Sequence, residues 1–241
     1  MAKASPRAPV LGPAFIRLLA RFGDADLPRT PPVLTERLAQ WFDWNRAITL
    51  SRALDNRLPD AGAGADFDAT HDAECARVRR GLLDAIDADI DLTPPRRKDA
   101  SAVAIDPGFL PYRQHCLAMQ RAMQAATGQL RGRLRDMLAQ QSPAKARLAE
   151  VDAVMEATLS PREQALLGIV PGLLGQHFQR LRDAGAPDTS ADADTSDNDT
   201  PATPAGPWLA RFRQDMRSAL LAELEIRFHP IDGLLAALRT R

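Results

Sequence analysis

Cysteine is nearly missing from this chain. Cys75 and Cys116 are the only two in 241 residues, too few for a disulfide framework and in keeping with a reducing compartment. Long hydrophobic runs are missing too. The most apolar stretch, Leu166 to Leu174, is broken by Gly168, Pro171 and Gly172 and falls short of the roughly 20 residues needed to span a bilayer. The first residues carry Pro6 and Pro9, where a secretory signal needs an unbroken apolar stretch of about 7–15 residues. A cytoplasmic protein without membrane insertion is expected. Net charge is also absent: 31 basic side chains balance 31 acidic ones, so no whole-molecule field draws the chain to nucleic acid or anionic lipid.

Motifs that carry chemistry are lacking as well. No glycine-rich phosphate loop, Gly-x-Ser-x-Gly elbow or His-Glu-x-x-His pair occurs, so no catalytic residue and no cofactor is nominated. His71 and Cys75 stand one helical turn apart, and His115 and Cys116 are adjacent. Adjacent ligands rarely converge on one tetrahedral zinc, and no metal is expected. The alternating carboxylates of Asp192, Asp194, Asp197 and Asp199 lack the glycine and glutamate of a calcium loop.

What is present is helical periodicity. Apolar residues recur at three- and four-residue spacing, and no β-branched run alternates with polar residues. The class is all-α, an irregular multi-helix bundle with long amphipathic helices. Its length lets about 70–75% of the unfolded surface be buried. A first helix is predicted over 13–22 with Phe15, Leu18, Leu19 and Phe22 on one face and Gly23 as its stop. A second starts after Thr30 with Pro31 in its first turn and carries Leu34, Leu38, Trp41 and Phe42, running into a third with Trp44, Ile48, Leu50 and Leu54. Helices follow over 67–90 and 111–140, the latter with Cys116, Met119, Met123, Ala126, Leu130, Leu134 and Met137 near a seven-residue repeat. Residues 59–66 and 91–106 are read as connections.

Ser142-Pro143 starts the next helix. Ser160-Pro161-Arg162-Glu163 reads as a capping box that starts another, with Pro171 kinking its apolar face. Residues 184–206 hold five aspartates, no basic residue and almost nothing apolar, the composition of a disordered linker. The terminal segment returns to helix, with a stripe from Leu209 to Leu238 and a kink expected at Pro230. Four parts result: an N-terminal short-helix subdomain (1–58), a central bundle (67–183), the acidic linker, and a C-terminal helix (207–241) that must dock on the bundle or on a partner.

Two clusters are candidate sites. Trp41, Phe42 and Trp44 form the densest aromatic patch in the sequence, read first as the core of a helical hairpin and second as a partner-binding groove. Residues 112–149 hold seven basic side chains against one acidic, Asp136. Arg131, Arg133 and Arg135 spread around a helix rather than forming one phosphate track, and a solvated face, or ion pairing with the acidic linker or with Asp84, Asp87, Asp89 and Asp91, accounts for them.

The segments Phe15-Ile16-Arg17-Leu18-Leu19-Ala20, Leu34-Thr35-Glu36-Arg37-Leu38-Ala39-Gln40-Trp41, Ile48-Thr49-Leu50-Ser51-Arg52-Ala53-Leu54, Phe109-Leu110-Pro111-Tyr112-Arg113 and Leu159-Ser160-Pro161-Arg162-Glu163 together resemble a proteobacterial family defined as a domain of unknown function. The resemblance covers most of the chain apart from the two variable linkers and carries no catalytic residue to transfer. It implies a bacterial cytoplasmic protein encoded beside envelope proteins of the motor-stator and peptidoglycan-binding kind. The expected role is a non-catalytic helical interaction or assembly factor. Its partner is another protein or a second copy in a homo-oligomer, and a nucleic-acid-associated role through 112–149 is the alternative.

Overall fold

Helical spacing of apolar residues builds every regular element described. The computed structural model describes residues 14–23, 40–55, 69–88, 108–185 and 207–240, and no strand occurs among them. The helices are α1 (Ala14–Gly23), α2 (Trp44–Asp55), α3 (Ala69–Ala88), α4 (Leu110–Gln141), α5 (Pro143–Leu167), α6 (Val170–Gly185) and α7 (Pro207–Arg239). Residues 24–39, 56–68, 89–107 and 186–206 lie outside the described residues. With them lie most of the helix expected after Thr30 and nearly all of the three expected linkers.

The terminal helix is the axis of the bundle. α7 has 33 residues, about 50 Å at 1.5 Å per residue, and packs on α4, α6, α1, α3 and α5. Leu209, Phe212, Met216, Leu220, Leu224, Phe228, Ile231, Leu235 and Leu238 are all buried, a stripe that steps by three and four residues. Pro230 stands inside this helix, where it has no N–H to offer the Ile226 carbonyl.

α4 departs from the seven-residue seam read in the sequence. Its buried line is Tyr112, Cys116, Gln120, Met123, Thr127, Leu130, Leu134 and Leu138, while Met119, Ala126 and Met137 are only partly buried at its edges. Two polar residues hold central places because their atoms find partners. Gln120 Nε2 donates to the Leu167 carbonyl and to Glu223 Oε2, each at 2.9 Å. The Thr127 hydroxyl donates to the Met123 carbonyl one turn back at 2.8 Å.

The capping box at Ser160 is not a helix start. α5 runs unbroken from Pro143 to Leu167 with Pro161 inside it. The Thr158 hydroxyl donates to the Val154 carbonyl and Arg162 reaches the Thr158 carbonyl, so the helical ladder is dressed on both sides of the proline. α5 is also anchored to α4 ahead of and beyond Pro161, which holds it continuous. The cap is Ser142, whose hydroxyl accepts from the Lys145 N–H at 3.3 Å. Ser142→Ala is therefore expected to cost up to about 1 kcal/mol, while Ser160→Ala leaves the urea midpoint nearly unmoved. Equal losses at the two positions would restore the helix start to Ser160.

Pro171 also changes its meaning. The chain turns at Gly168-Ile169 and α6 begins at Val170. Pro171 thus lies in a first turn, where a missing N–H costs nothing, and does not kink the middle of a helix.

The aromatic core is assembled from distant segments. Phe212 lies 5.2 Å from Tyr112 and 5.0 Å from Phe178 between ring centroids, both edge-to-face, and Phe109 and Trp208 close on Phe178. Two glycines permit this, one by size and one by backbone conformation. A Cβ on Gly175 would stand 2.9 Å from the Phe109 ring, and Gly108 turns into α4 at φ 63°, a left-handed conformation that glycine adopts without strain.

Candidate functional site

α5 has two unlike faces. Toward α4 it presents carboxylates: Arg131 donates to Asp152 through Nε and Nη2 at 2.8 and 2.7 Å, and Arg135 reaches Asp152 at 3.3 Å and also bonds Glu156. On its other side α2 packs against it. Val151, Val154, Met155 and Leu159 of α5, with Ile48 and Leu50 of α2, are partly buried yet stand apart from the main core. The α2–α5 contact is thus a second, thinner layer beside the main core.

The candidate aromatic patch lies at the start of this layer, and most of the first helix of its expected hairpin lies outside the described residues. Trp41 and Phe42 are half-buried and Trp44 is 79% exposed. Arg162 on α5 holds the approach: its Nη1 donates to the Trp41 carbonyl at 3.3 Å, and its guanidinium sits 5.6 Å from the Trp41 ring centroid, a cation–π distance. Asp43 caps α2, accepting from the Arg46 N–H at 2.8 Å. An aspartate one residue before the helix was the readable sign of that boundary. Ala53 is the buried residue of α2, Arg46 and Leu50 are partly buried on the same side, and at 3.6 residues per turn Trp44 falls opposite them, facing out.

The three candidate basic residues are all engaged. Arg131 and Arg135 form one cluster with Asp152 and Glu156, and Arg133 turns to Glu74 on α3 at 2.5 Å. The acids come from α5 and α3; of the expected partners, Asp87 pairs instead with Arg217 of α7 at 2.6 Å, while Asp89, Asp91 and the acidic linker lie outside the described residues.

A polar network crosses the bundle beside this cluster. Glu223 is fully buried, accepts from Gln120, and pairs with Arg227 one turn along α7 at 2.8 Å; Arg227 also faces Glu163 at 3.4 Å. A cleft of about 200 Å³ opens there between α4, α5 and α7, bordered by Arg131, Glu156, Glu163, Ile226, Arg227 and Pro230. Sequence reading missed it. Its available signals were Gly128, which also lines the cleft with no neighbour in the place of its absent side chain, and Pro230 in mid-helix.

The zinc candidates divide between two places. His71 and Cys75 line one cleft beside α4, while Cys116 lies in the core, its thiol pushed up to about 12 by burial and the neighbouring Glu223 charge. Burial and then Glu74 also raise the Cys75 thiol, so both cysteines are neutral thiols at neutral pH. Among the described residues, no three His, Cys, Asp or Glu side chains are grouped to hold a metal ion, and no helix is long and apolar enough to cross a membrane.

These features define an all-α bundle whose charged side chains serve mainly to tie helix to helix. Residues 1–240 match the family described as protein of unknown function (DUF3348), and the chain belongs to that family. No curated protein and no solved structure matches it.

Proposed function

We propose that the protein is a non-catalytic helical interaction factor that holds another protein against the α2–α5 layer. One observation carries this reading. Of the seven most exposed large apolar side chains among the described residues, five belong to α2, α5 and the turn after α5: Trp44, Leu54, Leu148, Leu166 and Ile169. Leu166 is one turn beyond Arg162 and so shares the helix face that holds Trp41. An exposed tryptophan on the same pair of packed helices as exposed aliphatic side chains is the composition of an interaction surface. The ion pairs of Arg131, Arg133 and Arg135 count against a phosphate-binding surface, since each phosphate contact would first have to displace a carboxylate. The family resemblance extends the reading to an accessory of an envelope motor-like system in a bacterial cytoplasm.

The test is the pair Trp44→Glu with Leu166→Glu, both at exposed positions where stability should move by no more than about 0.5 kcal/mol. Affinity purification from the native host is expected to lose the proteins that co-purify with the unaltered chain, with the thermal melt unchanged. Recovery of the same set with the double variant would contradict the proposal, as would sedimentation showing that the surface pairs only two copies of this chain.

A further inference from the structure

α3 is lightly seated beside α7. Cys75, Leu82 and Ile86 are its buried apolar residues, with Val78 and Leu83 partly buried against the core, where α7 buries a full stripe, and α3 rests in the groove between α4 and α7. Two clefts run along its edges. One of about 310 Å³ is bordered by Leu130, Arg133 and Met137 of α4, the other of about 140 Å³ by Phe228, Leu235 and Arg239 of α7, and Cys75 borders both. The small cysteine side chain thus stands between the two clefts.

Charge does the rest of the seating. Glu74 meets Arg133, Asp72 meets Arg239 at 2.6 Å, Asp87 meets Arg217 at 2.6 Å, and Arg79 meets Asp232 at 2.8 Å. The pairs with Arg239, Asp232 and Arg217 fall in reversed order along α7, so the two helices run antiparallel. Arg79 also stands 4.4 Å over the Phe228 ring. These pairs are largely solvent-exposed, the kind that salt screens and that orders a helix without fastening it. Three of the four place an arginine on the groove and an acid on α3.

We infer that the α4–α7 groove is a helix-binding site which α3 occupies in cis, and that its partner in trans is an acidic amphipathic helix of another protein. The groove specifies that helix: apolar anchors at the spacing of Cys75, Leu82 and Ile86, the first larger than cysteine so that it fills both clefts, and acids placed to meet Arg133, Arg217 and Arg239. α3 then acts as an autoinhibitory element whose release exposes Leu130, Leu134, Phe228 and Leu235. This is the helix-in-groove mode of recognition, on a surface separate from the α2–α5 layer.

The probe is a fluorescent peptide of residues 69–88 carrying Cys75→Leu, titrated onto the full chain. Saturable binding that weakens with added salt is expected. Affinity should be about tenfold tighter for the chain bearing Glu74→Arg with Asp87→Arg, because the tethered helix then spends more time out of the groove and more of the protein is binding-competent. A peptide with the same two charge reversals should bind the unaltered chain at least about tenfold more weakly. Hydrogen exchange on the full chain supplies a readout without variants: amides of 71–88 should exchange through a local opening that salt promotes, while those of α4 and α7 stay protected. Overturning results are no saturable binding to either chain, equal binding of the charge-reversed peptide, exchange of α3 only with global unfolding, or a mass doubling that shows the groove exchanging α3 between two copies. The α2–α5 substitutions Trp44→Glu and Leu166→Glu should leave peptide binding unchanged, which separates failure of one surface from failure of the other.

Discussion

Phe212→Ala is expected to destabilise the chain by about 3–5 kcal/mol and to lower its melting midpoint by roughly 6–20 °C, at about 2–4 °C per kcal/mol for a chain of this size. The reason is position more than size. Phe212 is fully buried and its ring meets Tyr112 of α4, Phe178 and His177 of α6 and Phe109 at the entrance to α4. Removing it opens a cavity where three helices and the turn before α4 converge, and the surrounding rings are too rigid to collapse into it. Calorimetry on the single variant checks the figure. A loss below about 1 kcal/mol would mean that α7 does not pack on α4 and α6 at this point.

Glu223→Ala should be nearly as costly for an electrostatic reason. Glu223 is fully buried and is the close partner of Arg227, whose side chain is only 7% exposed. Truncating one member of such a pair leaves the other charge buried and under-compensated, at a cost of about 3–5 kcal/mol. The double variant Glu223→Leu with Arg227→Leu should recover most of that loss, because both charges leave the interior together. Gln120 keeps its bond to the Leu167 carbonyl, and Glu163, more than a third exposed, returns to water. Urea midpoints of the single and double variants decide the matter. A double variant no more stable than Glu223→Ala would show that the pair contributes net stability rather than register.

Helix periodicity made much of this fold readable. Phe15, Leu19 and Phe22 on α1 and the stripe from Leu209 to Leu238 on α7 were legible because a three- and four-residue spacing of large apolar residues has one reading. The seam of α4 was drawn out of line because Gln120 and Thr127 look like surface residues until Glu223 and the Met123 carbonyl are seen beside them. Ser160-Pro161 failed for a related reason: a capping pattern is local, whereas the tertiary anchors that keep α5 continuous past Pro161 come from α4. Trp41, Phe42 and Trp44 are dense in sequence but sparse in the core, whose rings come from Phe15, Phe22, Tyr112, Phe178, Phe212 and Phe228, with Phe109 and Trp208 packed against them. The partners of Arg131 and Arg133 are 21 and 59 residues away, and no charge count along the chain could have named them.

In-cell photocrosslinking tests most directly whether the α2–α5 layer meets a protein partner, as proposed. A photoreactive side chain in place of Trp44 should give a discrete protein adduct in the native host, and the same group in place of Arg121, exposed on α4, should give none. An adduct at neither position, or equal adducts at both, would contradict the assignment of that layer as the interaction surface.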